Sequence, residues 1–169
     1  MKWSDEKGDW QEYSVKVRSL PGTNTIVEEN WFYAGSGERG RNYAPAVLEW
    51  DPETLALIRE EYWQGGLNSP NSGATPAITE YDPLTGDATK RVWMRAHEKH
   101  RAGGLPAVEF LKDGQPLRHE YWVDGELRRR DGPPIVNFDP DTGEITSTAD
   151  RLEPERQIIP KPVPQILSP

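Results

Sequence analysis

The chain has 169 residues, enough for one domain of ordinary size, but only 34% are hydrophobic and the mean hydropathy is −0.83. Cysteine is absent, which excludes disulfides, thiolate metal sites and an extracellular scaffold stapled by bridges. Net charge is −8, yet residues 90–130 carry ten Lys and Arg against six Asp and Glu, a local +4 that leaves −12 on the remainder. A solvated surface accounts for this split, and so does a molecule with one basic and one acidic end, which would favour oriented binding to a charged partner.

Low hydropathy alone would suggest disorder. Seven Trp, six Tyr and three Phe argue against it and point to thin sheets held by aromatic pairs. The start, Met1-Lys2-Trp3-Ser4-Asp5-Glu6, has no apolar segment of signal-peptide type, and no run of about 18 apolar residues occurs. The expectation is a soluble, cytoplasmic protein with no membrane span.

In chain order, residues 1–30 read as an N-terminal cap or a worn repeat. Tyr13 to Leu20 alternates like an edge strand, and Thr25-Ile26-Val27 can pair with it. Residues 31–150 read as a β-hairpin repeat domain of about four copies. Their cores are Pro45-Ala46-Val47-Leu48-Glu49-Trp50-Asp51-Pro52-Glu53-Thr54, then Pro76 to Gly86, then Pro106 to Phe110 with Asp113-Gly114, then Pro133 to Gly143. The leading prolines lie 31, 30 and 27 residues apart. A second anchor precedes them: Phe32, Trp63 and Trp93 each stand 13 residues before the proline, and Trp122 stands 11 before. Each copy predicts a strand begun by Pro, an Asp-Pro-x-Thr-Gly turn and a returning strand. Pro presets φ, Asp bonds the turn backbone and Gly takes the left-handed position. After the aromatic comes a tight turn such as Val123-Asp124-Gly125-Glu126, then an arm to the next Pro. Residues 151–169 form a Pro-rich tail, expected to be extended, whose Ile159, Val163 and Ile166 are apolar enough to dock on the sheet or a partner. The fold class is therefore all-β: an antiparallel meander of about four stacked hairpin repeats, with the cap before it and the tail after it.

The run from Glu120 through Tyr121-Trp122-Val123-Asp124-Gly125-Glu126-Leu127-Arg128-Arg129-Arg130-Asp131-Gly132 to Pro133 resembles the YwqK-type, MORN-variant repeat of bacterial and phage proteins. That unit runs aromatic–aromatic, a turn ending in Gly, His-Arg-Glu-Asp-Gly-Pro-Ala, then a short apolar strand. Arg128 stands in place of its His and Pro134 in place of its Ala; the third copy keeps His100-Arg101 and Pro106-Ala107 but has Ala102-Gly103-Gly104-Leu105 between them. The resemblance spans about residues 30–145 and is weakest in the first copy. It implies a stacked β meander and an interaction protein, often labelled antitoxin-like, with no shared catalytic motif to carry over.

The residues that look chemical have plainer explanations. His97 and His100 are three apart, which on a strand puts their rings on opposite sides, so neither a metal site nor any other cofactor is expected. The adjacent carboxylates Glu28-Glu29 and Glu60-Glu61 should face opposite ways and form no acid–base pair. Gly35-Ser36-Gly37-Glu38-Arg39-Gly40 lacks the Lys-Ser/Thr and helix of a phosphate loop. No catalytic residue is assigned. The candidate partner-binding residues are Arg101, Arg118, Trp122, Arg128, Arg129 and Arg130, with Ile159, Val163 and Ile166 of the tail. A non-enzymatic, inhibitor-like protein-binding module follows as the expectation, with no statement on oligomeric state. The overall negative charge disfavours nucleic acid. The alternatives are an assembly component joined through edge strands and the tail, and a carbohydrate binder using a Trp ladder.

Overall fold

The computed structural model describes residues 2–4, 10–42, 44–70 and 73–152. The tail residues Ile159, Val163 and Ile166 lie outside the described residues. The strands are β1 (Lys2–Ser4), β2 (Trp10–Ser19), β3 (Ile26–Tyr33), β4 (Val47–Trp50), β5 (Leu57–Glu61), β6 (Ile78–Tyr81), β7 (Ala88–Val92), β8 (Met94–Arg95), β9 (Glu98–Lys99), β10 (Val108–Lys112), β11 (Gln115–Glu120), β12 (Trp122–Val123), β13 (Glu126–Leu127), β14 (Ile135–Phe138) and β15 (Ile145–Ala149). Among the described residues no α-helix forms, and no helix is long and apolar enough to cross a membrane.

One eleven-stranded sheet runs in the order β1-β2-β3-β4-β5-β6-β7-β10-β11-β14-β15, each strand antiparallel to the next. The strands that this order skips form two side hairpins, β8–β9 and β12–β13. Isolated bridges Phe32–Arg39 and Trp63–Leu67 mark the same excursion in the first two copies. Cap and repeat share β3, which runs through the boundary expected at residue 30.

The Asp-Pro turns form as their residues dictate. One carboxylate oxygen of Asp51 accepts from the N–H of Glu53 and Thr54; Asp82 and Asp139 repeat the pattern with Leu84 and Thr85, and with Asp141 and Thr142. These bonds favour the ionised carboxylate and hold Asp51 and Asp139 below the ordinary aspartate pKa. The third copy differs. Its turn has two residues, Asp113 and Gly114, with φ of 52° and 77°, the mirror-image turn that suits a right-twisted hairpin.

The aromatic anchors need correcting by one position. The N–H groups of Trp31, Tyr62, Trp93 and Tyr121 donate to the carbonyls of Ala46, Ala77, Ala107 and Pro134, each at 2.8 Å, so these four are the equivalent residues. The neighbouring set is Phe32, Trp63, Met94 and Trp122, each opening a side hairpin against Arg39, Leu67, Lys99 and Leu127. Trp93 belongs to the first set because the third copy's arm is one residue shorter. Trp93 precedes Ala107 by 14, whereas Trp31 and Tyr62 precede their alanines by 15. The same alignment places Leu111, not Phe110, with Trp50, Tyr81 and Phe138. The prolines likewise sit two residues ahead of their strands, and the alanines after them are fully buried.

Register assigns the two faces, since directly opposed residues share a side. One face carries the row Arg18, Glu28, Glu49, Arg59, Glu80, Lys90, Phe110, Arg118, Asn137. Mixed charges here pair across strands: Arg59–Glu80 at 2.8 Å, Lys90–Glu80 at 3.2 Å and Arg18–Glu28 at 2.7 Å. A low-hydropathy chain can thus build a wide sheet, because charge pairs fill places that a sandwich would give to Leu and Val. The buried groups lie beside it: Tyr13, Trp31 and Ala46 at the first copy, then Val92, Trp93, Ala107, Val108, Ile135 and Val136.

Candidate functional site

The arm of each copy returns over the aromatic of the first set. The N–H groups of Gly40, His100 and Arg128 donate to the carbonyls of Trp31, Trp93 and Tyr121. The next residue in each arm is arginine, and its guanidinium lies over that ring: Arg41 over Trp31 at 3.9 Å, Arg101 over Trp93 at 3.6 Å and Arg129 over Tyr121 at 3.9 Å. Cation–π contacts of this kind contribute about 0.5–2 kcal/mol, depending on desolvation. The second copy has Ser69 there, whose N–H and hydroxyl instead bond the backbone of Met94.

A groove of about 360 Å³ opens between the third and fourth arms, lined by Arg101, Leu105, Tyr121, Trp122, Arg128, Arg129 and Arg130 among others. Five of the six described candidates therefore come together, contributed by two successive arms and the start of a side hairpin. The third arm can pass low along the groove because Gly103 and Gly104 both adopt left-handed φ, 77° and 71°. Leu105 then places a half-exposed apolar side chain on the rim. Sequence reasoning missed Leu105 and Tyr121. The signal for Leu105 was present, since an apolar residue occupies the place where the fourth copy carries Gly132 before Pro133.

Arg118 does not join them. It sits on the opposite face of the sheet, where it pairs with the buried Glu120 at 2.8 Å and, with Ile135, Asn137 and Arg151, lines a separate hollow. Period two explains the correction: Arg118 shares a face with Glu120, whereas Tyr121 faces the other way.

The arginines differ in how far they are satisfied. Arg101 donates to Glu109 at 2.9 Å and to the Pro106 carbonyl at 3.2 Å. Arg128 is exposed and only loosely paired with Glu126, 3.5 Å away. Arg129 and Arg130 have no carboxylate partner among the described residues. Their charge is felt beneath the arms. Burial pushes the His119 pKa below the ordinary histidine value; Glu109 opposes this, while Arg101 and Arg129 add to it.

The other residues singled out are structural. His97 packs edge-on against Trp63, and His100 sits 3.0 Å from Asp124, so the two histidines do not converge. No group of His, Asp and Glu suited to a metal occurs among the described residues. Glu61 bonds Arg59 and the Trp63 indole N–H, whereas Glu60 accepts the Tyr81 hydroxyl at 2.8 Å on the other face. Glu28 pairs with Arg18 while Glu29 accepts the Trp31 indole N–H. The rings of Trp63 and Trp122 carry Arg39 and Lys99, and Trp31 and Trp93 are buried, so these four form no bare Trp ladder.

Comparison with family models, curated proteins and solved structures returned no match for this chain.

Proposed function

We propose that this chain is a non-enzymatic protein-binding module that engages its partner through the groove between the third and fourth arms. The observation that carries this reading is the concentration of Arg128, Arg129 and Arg130 around an apolar floor, with two of the three lacking a carboxylate partner among the described residues. The histidines and paired glutamates that could suggest catalysis are engaged in holding the sheet. The resemblance to the YwqK-type repeat supports the finer form of the proposal: an antitoxin-like or anti-defence inhibitor, bacterial or phage, that covers a surface of its target. A stiff sheet is suited to that role, because little ordering entropy is lost when it docks.

The test is a quantitative pull-down from bacterial lysate with the full chain, wild type against the double variant Arg128→Glu, Arg130→Glu. Both side chains are exposed, so the variant should keep the wild-type melting temperature. Stoichiometric capture that falls at least about tenfold in the variant is expected, the scale of losing one or two charge-assisted contacts. Equal capture by both proteins, or no partner at any salt concentration, overturns the proposal.

A second reading has its own observation. Among the described residues nothing pairs with the outer side of β15, or with the side of β2 away from β3 beyond its first three residues. Open edges of this kind support assembly by strand addition. Size exclusion with light scattering separates the two: a monomer at all concentrations sinks the assembly reading and leaves the groove reading standing.

A further inference from the structure

Copies three and four carry the same stacked arginine, but among the described residues only one has an acid to meet it. Arg101 lies on Trp93 and donates to Glu109. Glu109 stands opposite His119 on one side, and Val136 stands opposite His119 on the other. In the repeat, Val136 is the counterpart of Glu109, three residues after Pro133 as Glu109 is three after Pro106. Arg129 lies on Tyr121 as Arg101 lies on Trp93, yet the position equivalent to Glu109 is a buried valine in its copy. The stacked plane is held by the ring, so the guanidinium N–H edge is oriented before any ligand arrives. Arg129 lines the groove together with Arg128, Arg130 and the apolar side chain of Leu105.

Resting on the groove reading above, we infer that Arg129 is a carboxylate-recognition fork, and that the groove takes an acidic segment of a partner polypeptide carrying an apolar residue beside the acid. The incoming carboxylate takes the place that Glu109 fills one copy earlier. Two N–H groups of one guanidinium match a carboxylate in a planar, bidentate manner that lysine cannot reproduce. Leu105 receives the adjacent apolar side chain. Nucleic acid fits less well. The accessible ring faces that would stack bases are occupied, Tyr121 by Arg129 and Trp122 by Lys99, and the molecule as a whole carries −8.

The experiment is fluorescence anisotropy with the full chain and a labelled, end-capped peptide of alternating Glu and Leu, beside a Gln-for-Glu control and a single-stranded oligonucleotide of equal charge. The expected result is salt-sensitive binding of the Glu peptide alone. Arg129→Lys keeps the charge but not the fork, and should weaken binding by about tenfold. Val136→Glu should abolish it by supplying the missing acid within the chain. Since that change alters a buried site, it is read beside Arg129→Gln, which changes only a half-buried arm side chain and should lose binding to the same extent. Binding that is indifferent to Arg129→Lys, or a preference for the oligonucleotide, overturns the inference. In those cases groove-dependent capture in the pull-down would leave the protein-binding proposal intact, so the two failures are distinguishable.

Discussion

Leu55 occupies the place that Gly86 and Gly143 take in the sister turns. Its N–H donates to the Asp51 carbonyl at 2.9 Å, as those glycines donate to Asp82 and Asp139, and its φ is 59°. A side chain in that region costs about 1–2 kcal/mol, while glycine costs the unfolded chain about 0.5–1 kcal/mol of extra freedom. Leu55 is half exposed, so little burial is lost on its removal. Leu55→Gly should therefore stabilise the protein by roughly 0.5–1 kcal/mol, seen as a higher urea midpoint with an unchanged slope. A lower midpoint would mean that the leucine side chain contributes more than its exposure suggests. The missing glycine was legible in the sequence. What it cost was not, because cost depends on whether the turn keeps its geometry without glycine, and here Asp51 and Thr54 hold that geometry through three hydrogen bonds.

At the scale of the element, hairpins were readable because each is local: Pro, Asp and Gly act on the chain within a few residues. The side hairpins and arms were harder, since their positions depend on contacts between copies. His97, in left-handed conformation, lies against Gly66 and Trp63 of the preceding copy, and Gly125 donates to the Lys99 carbonyl. A fixed spacing misleads in the third copy: a one-residue shortening of the arm leaves the sheet register intact, so the residue 13 before the proline is Trp93, of the first set, rather than its neighbour Met94. Charge and proximity in sequence group Arg118 with the arm arginines, whereas strand alternation sends it to the opposite side. Tight arm packing makes a prediction at Gly40. A Cβ there would overlap the Tyr33 ring and approach the Trp63 carbonyl to 3.0 Å, where the first arm crosses the second copy. Gly40→Ala should cost about 1–3 kcal/mol, the scale of overpacking, because a backbone carbonyl cannot swing aside as a side chain can. Differential scanning calorimetry measures it. A loss confined to a few tenths would show that the arm moves independently of the sheet.

Across the whole molecule, stability should fall from the middle of the sheet to its ends. Every sheet strand pairs with its sheet neighbours alone, and consecutive strands are joined by local connections, so the array behaves as a line of units coupled to their neighbours. β6, β7 and β10 have partners on both sides and hold Val92 and Val108 nearly fully buried. β15 has a partner on one side, and four of its five residues are exposed. Native-state hydrogen exchange should therefore find the amides of β7 and β10 the slowest and those of β15 the fastest, with protection differing by more than about tenfold. Uniform protection would instead mean one all-or-none unit. The gradient bears on the groove, which lies just past the end of β11, at Tyr121, and along the arm leading into β14, between the well-protected centre and the frayed end. A ligand held by Arg129 would couple the fourth arm to the third, and its binding energy would appear as added protection in β14, two strands from the sheet's slow-exchanging centre. If the Glu peptide binds while β14 protection stays constant, the ligand sits on a surface that does not join the two copies, and Arg129 is not its anchor.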